Sequence, residues 1–289
     1  MRVVLILFSC IFILSPFHAK ADLNDGLICY YPFNGSADDE SENNNHGTVS
    51  GATLTEDKDN NHDSAYYFDG IDDYINIGNN ASLRPDLPVS FTAWVRIDSN
   101  KYQGVFRNNY YTDQYTGIIV NFMDTGHIGI GFGDGGGTDI TDRRTIISGK
   151  TFDTGTWYHI AGILRGPTDM ELFINGVLDN STYYDGSGGS LYYNDRDGLI
   201  GLHGRTTSGL LFFHGAMDEL RFYNRALSAS EICDLAGCNT PSVPSISSVG
   251  KIGLLAILLL MGVLAAKRDS EMQGHVCHHT NGMERRWFQ

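Results

Sequence analysis

Short runs of β-branched and aromatic residues recur along the chain, among them Ser90–Ile97, His127–Phe132, Trp157–Leu164 and Ala216–Tyr223, and nearly every gap between them holds Gly, Asn or Asp. These gap residues permit positive φ or cap turns, so the pattern describes many short strands joined by tight connections. More than ten such runs lie between Leu27 and Tyr223, which indicates an all-β, antiparallel β-sandwich of the jelly-roll kind. No helical crossover interrupts them, which argues against a parallel α/β sheet. One stretch, Ser228 to Ala236, reads as a short C-terminal helix, with Ser228 or Ser230 as N-cap and Glu231 near the first turn. In Phe91-Thr-Ala-Trp-Val95 the alternation places Phe91, Ala93 and Val95 on one face and Trp94 on the other. Asn175-Gly176 suits the two positive-φ positions of a type I′ hairpin turn.

Both ends stand outside this pattern. Met1 to Ala21 has an early Arg2, an apolar run from Val3 to Leu14 and small residues at Ala19 and Ala21, the layout of a secretory signal peptide cleaved before Asp22. At the other end, residues 238–250 form a Pro/Ser-rich linker, and residues 251–268 hold an uncharged run, Ile252 to Ala266, closed by Lys267-Arg268. Such a run covers only ~22 Å at 1.5 Å per residue, a short membrane helix whose basic end belongs on the cytoplasmic side. Residues 269–289 read as an unstructured tail despite His275, Cys277, His278 and His279, because ligands crowded on a polar tail have no second layer to orient them. The part left between the ends, residues 22–237, reads as one domain.

Charge narrows the partners. Asp22 to Ser248 carries 31 acidic and 13 basic side chains, a net of −18, which repels phosphate backbones and excludes nucleic acid as a partner. An apolar fraction of 42% against 19% charged supplies a core and excludes global disorder. Three exported cysteines remain, Cys29, Cys233 and Cys238, so one disulfide at most forms within a single chain. Cys233 and Cys238 suit a small terminal staple, and Cys29 alternatively pins the first strand to the segment after the last.

Six segments then carry a resemblance: Gly26-Leu-Ile-Cys-Tyr-Tyr-Pro-Phe-Asn-Gly35, Tyr67-Phe-Asp-Gly-Ile-Asp-Asp-Tyr-Ile75, Phe91-Thr-Ala-Trp-Val95, Gly155-Thr-Trp-Tyr-His-Ile160, Leu172-Phe-Ile-Asn-Gly-Val177 and Gly215-Ala-Met-Asp-Glu-Leu-Arg-Phe-Tyr-Asn-Arg-Ala-Leu-Ser228. In this order they resemble the laminin-G-like, concanavalin-A-like jelly-roll domain of bacterial secreted proteins. The resemblance implies a sandwich used for sugar binding, adhesion or spacing. Val243-Pro244-Ser245-Ile246, the apolar run and Lys267-Arg268 together resemble the bacterial sorting tails named for an Ile-Pro-Thr-Leu motif. That tail implies delivery to the outer membrane, the cell surface or the exterior by a membrane sorting enzyme, the alternative being a retained anchor.

Asp38 to Gly47 is the densest group of oxygen ligands, and calcium needs six to eight oxygens from an irregular loop. Asp39 to Gly47 resembles a calcium loop of such jelly rolls, and the resemblance implies Asp39, Asn43 and Asn45 as ligands of a structural Ca²⁺, completed by Asp218 of the last strand. Glu56 to Asp63 lacks the Gly to fold round an ion and reads as solvated surface. Tyrosines in turn-rich segments, Tyr110, Tyr111, Tyr115, Tyr192 and Tyr193, with Arg143 nearby, suit a carbohydrate whose C–H face stacks on a ring, or equally a surface-protein partner. For catalysis there is no Glu-x-Asp-x-x-Glu strand, no Gly-x-Ser-x-Gly elbow and no His-Glu-x-x-His. Asp218 and Glu219 are expected on opposite faces of a strand. The expectation is therefore a non-enzymatic, lectin-like binding module, with an adhesion protein as the alternative and a polysaccharide hydrolase further off.

Overall fold

The computed structural model describes residues 22–109, 113–205 and 209–238. The leader, the linker beyond Cys238, the apolar segment, the tail, and Tyr110 and Tyr111 lie outside the described residues. Among the described residues no helix is long and apolar enough to cross a membrane.

The strands, in chain order, are β1 (Leu27–Tyr31), β2 (Thr48–Ser50), β3 (Thr53–Thr55), β4 (Ala65–Asp69), β5 (Tyr74–Gly78), β6 (Val89–Ile97), β7 (Gln103–Arg107), β8 (Ile118–Phe122) and β9 (Ile128–Gly133). There follow β10 (Arg143–Ile147), β11 (Trp157–Gly166), β12 (Asp169–Ile174), β13 (Val177–Leu178), β14 (Thr182–Asp185), β15 (Gly198–Ile200), β16 (Leu202–Arg205), β17 (Gly209–Phe212) and β18 (His214–Tyr223), then a single helix α1 (Ala229–Leu235). One sheet has the order β13-β12-β11-β6-β18-β4-β3, with β1 also on β18; the other has the order β14-β10-β9-β8-β7-β15-β5-β2. All pairings are antiparallel, and β16 and β17 form a separate two-stranded ribbon. This is the expected sandwich. The long β18 accepts β4 along its first half, Ala216 opposite Tyr67, and β1 along its second, Tyr31 opposite Leu220.

Alternation decides which side chains enter the core. Phe91, Ala93 and Val95 of β6 are buried between the sheets, and Phe106 of β7 bridges them, its ring 5.0 Å from Phe91 and 5.4 Å from Phe222. Trp94 faces outward, beside His159 at 5.5 Å and under the Lys58 ammonium at 5.0 Å. Asn175 and Gly176 take φ values of 51° and 78°, as a type I′ turn demands.

The helix begins where Ser228 and Glu231 close a reciprocal capping box, a device that stabilises a helix start by about 1 kcal/mol. A second apolar cluster, including Ala161, Phe173, Tyr223, Leu227 and Ile232, lies on the outer face of the first sheet under α1. Arg225 ties this corner down through Glu231 at 2.6 Å. Cys233 and Cys238 form the disulfide. Cys29 does not take part: its thiol is fully buried in β1 opposite Phe222, so the alternative bridge from the first strand is excluded.

One expectation about the last strand is overturned. Between Asp218 and Arg221 the register with β6 slips, and Glu219 adopts φ of 52°, the signature of a β-bulge. Asp218 sits opposite Trp94 and Arg221 opposite Thr92, both outward positions, while Met217 and Leu220 enter the core. The extra residue turns Glu219 outward as well, where it pairs with Arg221 at 2.6 Å and accepts a hydrogen bond from the Tyr30 hydroxyl at 3.0 Å. The two acids therefore share one face.

Candidate functional site

The loop after β1 closes on Asp39. Its Oδ1 accepts the backbone N–H groups of Tyr30 and Ser41, and its Oδ2 accepts the N–H of Asn45 and the Ser41 hydroxyl, all at 2.8–2.9 Å. The side-chain amide of Asn43 donates to the carbonyls of Leu27 and Ile28, and that of Asn45 donates to Ile28 and Ser82 while its Oδ1 accepts from Ser82. A carboxylate has about four lone-pair sites. All four of those on Asp39 are taken by donors of the loop and of β1. Asp218 lies opposite Trp94 on β6, its Oδ1 accepting the Glu219 N–H at 2.7 Å. Asp39, Asn43 and Asn45 thus staple the loop to β1. The carboxylates of Asp69, Asp72 and Asp73 do lie within 4.8 Å of one another, but Asp69 accepts from Ile71 N–H and Asp73 from Asp69 N–H, which holds the β4–β5 turn.

The tyrosines divide. Tyr115 is buried rather than exposed, its hydroxyl accepting from Arg143 Nη1 at 3.0 Å and its ring lying under that guanidinium at 4.8 Å. Tyr192 joins them from the other side of the 133–137 loop, its N–H donating to Gly133 and its carbonyl accepting from Gly117, and its ring remains exposed. Tyr193 turns away: its hydroxyl donates to the Pro85 carbonyl and accepts from Asn108, and burial pushes its pKa up. Thus Tyr115, Arg143 and Tyr192 come together, but two of the rings expected to offer a stacking surface serve the interior.

Sequence reasoning missed the concave feature. The β16–β17 ribbon folds over the solvent face of β7, and it seats there because residue 104 is glycine; a Cβ would fall 2.2 Å from the His203 backbone nitrogen. Between ribbon and sheet opens a groove of about 680 Å³. Tyr74 and Asn76 of β5 and Leu199 of β15 form its sheet side, and Leu202, Leu210 and Phe212 form the ribbon wall. Asp113, Asp195, Arg196 and Asp197 complete the lining. Asn76 donates to Asp197 at 2.8 Å, and its own Oδ1 accepts from Gly78 N–H, so the amide is held with its donor toward the carboxylate. The volume lies in the usual range of ligand sites, and an apolar wall with few placed polar groups is their usual make-up. The sequence signal was the short apolar run Leu210-Leu-Phe-Phe213 flanked by Gly209 and Gly215.

The outer face of the first sheet holds a second unanticipated group. Thr92 Oγ1, His159 Nδ1 and the Tyr223 hydroxyl are buried there without a hydrogen-bond partner among the described residues. Burial holds His159 down at about 3, the charge of Arg221 adding to it. Burial raises Asp218 to about 8, with the neighbouring Glu219 charge second. The bulge that places two acids side by side thus leaves one of them protonated at neutral pH.

The profile of the concanavalin A-like lectin/glucanases superfamily matches residues 68–233. No curated protein matches the sequence. Among solved structures, domain 4 of AbnA, a GH43 extracellular arabinanase from Geobacillus stearothermophilus, solved in complex with arabinotriose, is 18% identical with a TM-score of 0.51, over 73% of this chain and 98% of that one. The binding domain of Paraclostridial Mosquitocidal Protein 1 is 19% identical with a TM-score of 0.55, over 74% of this chain and 52% of its own. A structure of botulinum neurotoxin type C, a toxin whose cell entry depends on interaction with two ganglioside molecules, is 11% identical with a TM-score of 0.56, over 76% of this chain and 53% of its own. The chain spans about half the length of the two toxin chains. At these identities the likeness is one of fold.

Proposed function

Because the chain belongs to the concanavalin A-like lectin/glucanases superfamily, we propose that it is a non-enzymatic binding module whose ligand is a carbohydrate lying in the groove between the β16–β17 ribbon and β5 and β15. The observation that carries this reading is the make-up of the groove: Phe212, Leu210 and Tyr74 offer apolar surface for the C–H face of a sugar ring, and Asp195 and Asp197 offer acceptors for its hydroxyls. Such a division of labour suits a polyol better than a hydrophobic ligand, whose binding would bury those carboxylates without partners. One structural neighbour was solved in complex with arabinotriose, and the cell entry of another depends on gangliosides, which supports a sugar ligand. Calcium forms no part of the proposal, since the Asp39 carboxylate already accepts four hydrogen bonds.

The proposal extends to location: the leader at residues 1–21 exports the chain, and residues 251–268 hold it in a membrane or are read by a sorting enzyme. N-terminal sequencing of the mature protein beginning at Asp22, together with cell fractionation, tests this part.

Ligand binding is tested by titrating the full-length chain and its Phe212→Ala variant with a panel of oligosaccharides. Loss of an aromatic anchor at the centre of a site typically costs tenfold or more in Kd, so Phe212→Ala should weaken the best ligand by at least that. If Tyr192→Ala abolishes binding while Phe212→Ala leaves it intact, the site is the Tyr115–Arg143 end and not the groove. Capture of a surface protein that no sugar competes away, with no sugar bound, would replace the carbohydrate reading by adhesion.

A further inference from the structure

We infer that the groove selects uncharged glycans and rejects those bearing carboxylate or sulfate groups, an inference that rests on the carbohydrate reading above. The rim carries three carboxylates, Asp113, Asp195 and Asp197. Two are oriented by amide donors, Asp197 by Asn76 at 2.8 Å and Asp195 by Asn79 at 3.3 Å. An ionised carboxylate is an acceptor only. It takes hydrogens from neutral hydroxyls, and neighbouring hydroxyls of one sugar ring can engage both of its oxygens, but it has nothing to donate to an anion.

The basic side chains do not reverse this balance. Arg196 lines the groove, and Arg84 lies 3.8 Å from Asp195 while donating to the Asn79 carbonyl, which makes two cations against three anions. Beyond the rim, the exported region as a whole is at −18, so a polyanion meets repulsion before it reaches the site. The local and the long-range terms have the same sign. Hydroxyl donation to the rim is short-ranged and unaffected by salt, whereas the rejection of anions is screened within roughly 10 Å at 0.1 M salt.

The test uses the full-length chain and a panel of soluble polysaccharides in two groups: arabinan, galactan, dextran and mixed-linkage β-glucan, against polygalacturonate, alginate and chondroitin sulfate. At low salt the tightest binder should be uncharged, and every acidic polymer should bind at least tenfold more weakly. Raising the salt to 0.5 M should narrow that ratio. The double variant Asp195→Asn with Asp197→Asn, checked for an unchanged Tm, should narrow it about fivefold or more at low salt. An acidic polymer among the tightest binders of the unaltered chain would overturn the selectivity while leaving the carbohydrate reading in place, as would a ratio that the double variant does not move. Binding of neither group would overturn the carbohydrate reading and this inference with it.

Discussion

Replacing Asp218 with Asn should stabilise the protein at alkaline pH and change little in acid. The carboxyl is raised from 3.8 to about 8 by burial and then by the charge of Glu219. Near pH 4 and below, it is protonated in folded and unfolded chains alike and contributes nothing. As pH rises from 4 to 8 the unfolded chain releases this proton and the folded one keeps it, so stability falls, and above 8 the full penalty remains. A span of roughly four pH units at 1.36 kcal/mol each sets a ceiling of about 5 kcal/mol. For a domain of this size ~1 kcal/mol moves Tm by about 2–4 °C, so the ceiling is of order 10 °C. Asn keeps the oxygen that accepts the Glu219 N–H at 2.7 Å and cannot ionise. His159 acts on the opposite limb, since a histidine held at about 3 removes stability as pH falls below 6.5. The quantity to read is therefore the difference in Tm between variant and parent at pH 4, 6 and 8.5, in which the histidine term cancels. That difference should widen toward pH 8.5. A constant offset at all three values would refute the assignment of a buried, protonated Asp218.

Other substitutions test the loop, the staple and the free thiol. Asp39→Ala removes the acceptor for three backbone N–H groups and should lower stability by about 2–4 kcal/mol, with calcium failing to restore it. A calcium-dependent rise in Tm of the parent that Asp39→Ala abolishes would contradict the loop geometry. Cys233→Ser with Cys238→Ser opens a bridge of sequence separation 5, and a loop this short should cost roughly 2 kcal/mol, read as a drop in Tm of some 4–8 °C. Cys29 is fully buried and burial raises its thiol well above the ordinary range. Alkylation followed by mass spectrometry should leave it unlabelled until the protein unfolds; labelling in the native state would place it elsewhere.

The strands were legible because burial on one face writes itself as period-two alternation, as in Phe91, Ala93 and Val95. The Asn175-Gly176 turn and the Ser228 cap were legible because few residues meet their backbone demands. Strands β2, β3 and β14 were not, being edge segments of three or four residues, too short to display an alternation. The bulge at Glu219 was not, because one inserted residue changes the register only relative to β6, and nothing local to Asp218-Glu219 announces it. The Asp39 loop shows a different limit: the oxygen-rich composition that suits an ion equally suits a loop that must cap its own backbone. Tyr115 and Tyr193 were misplaced for a related reason, since a turn-rich segment can fold inward when Arg143 or Pro85 offers the hydroxyl a partner.

The β16–β17 ribbon enters after Ile200 and leaves at Phe213, and the N–H of Phe213 donates to the carbonyl of Gly201 at 2.9 Å, so the two ends meet. Its strands pair only with each other. A segment whose ends touch and whose strands pair with each other can be changed at its tip, provided the seat of Leu202 and His203 on Gly104 of β7 is kept. Since that segment forms one wall of the groove, exchanging the residues of its outer strand, Leu210 and Phe212, would recast that wall while the two large sheets keep their core.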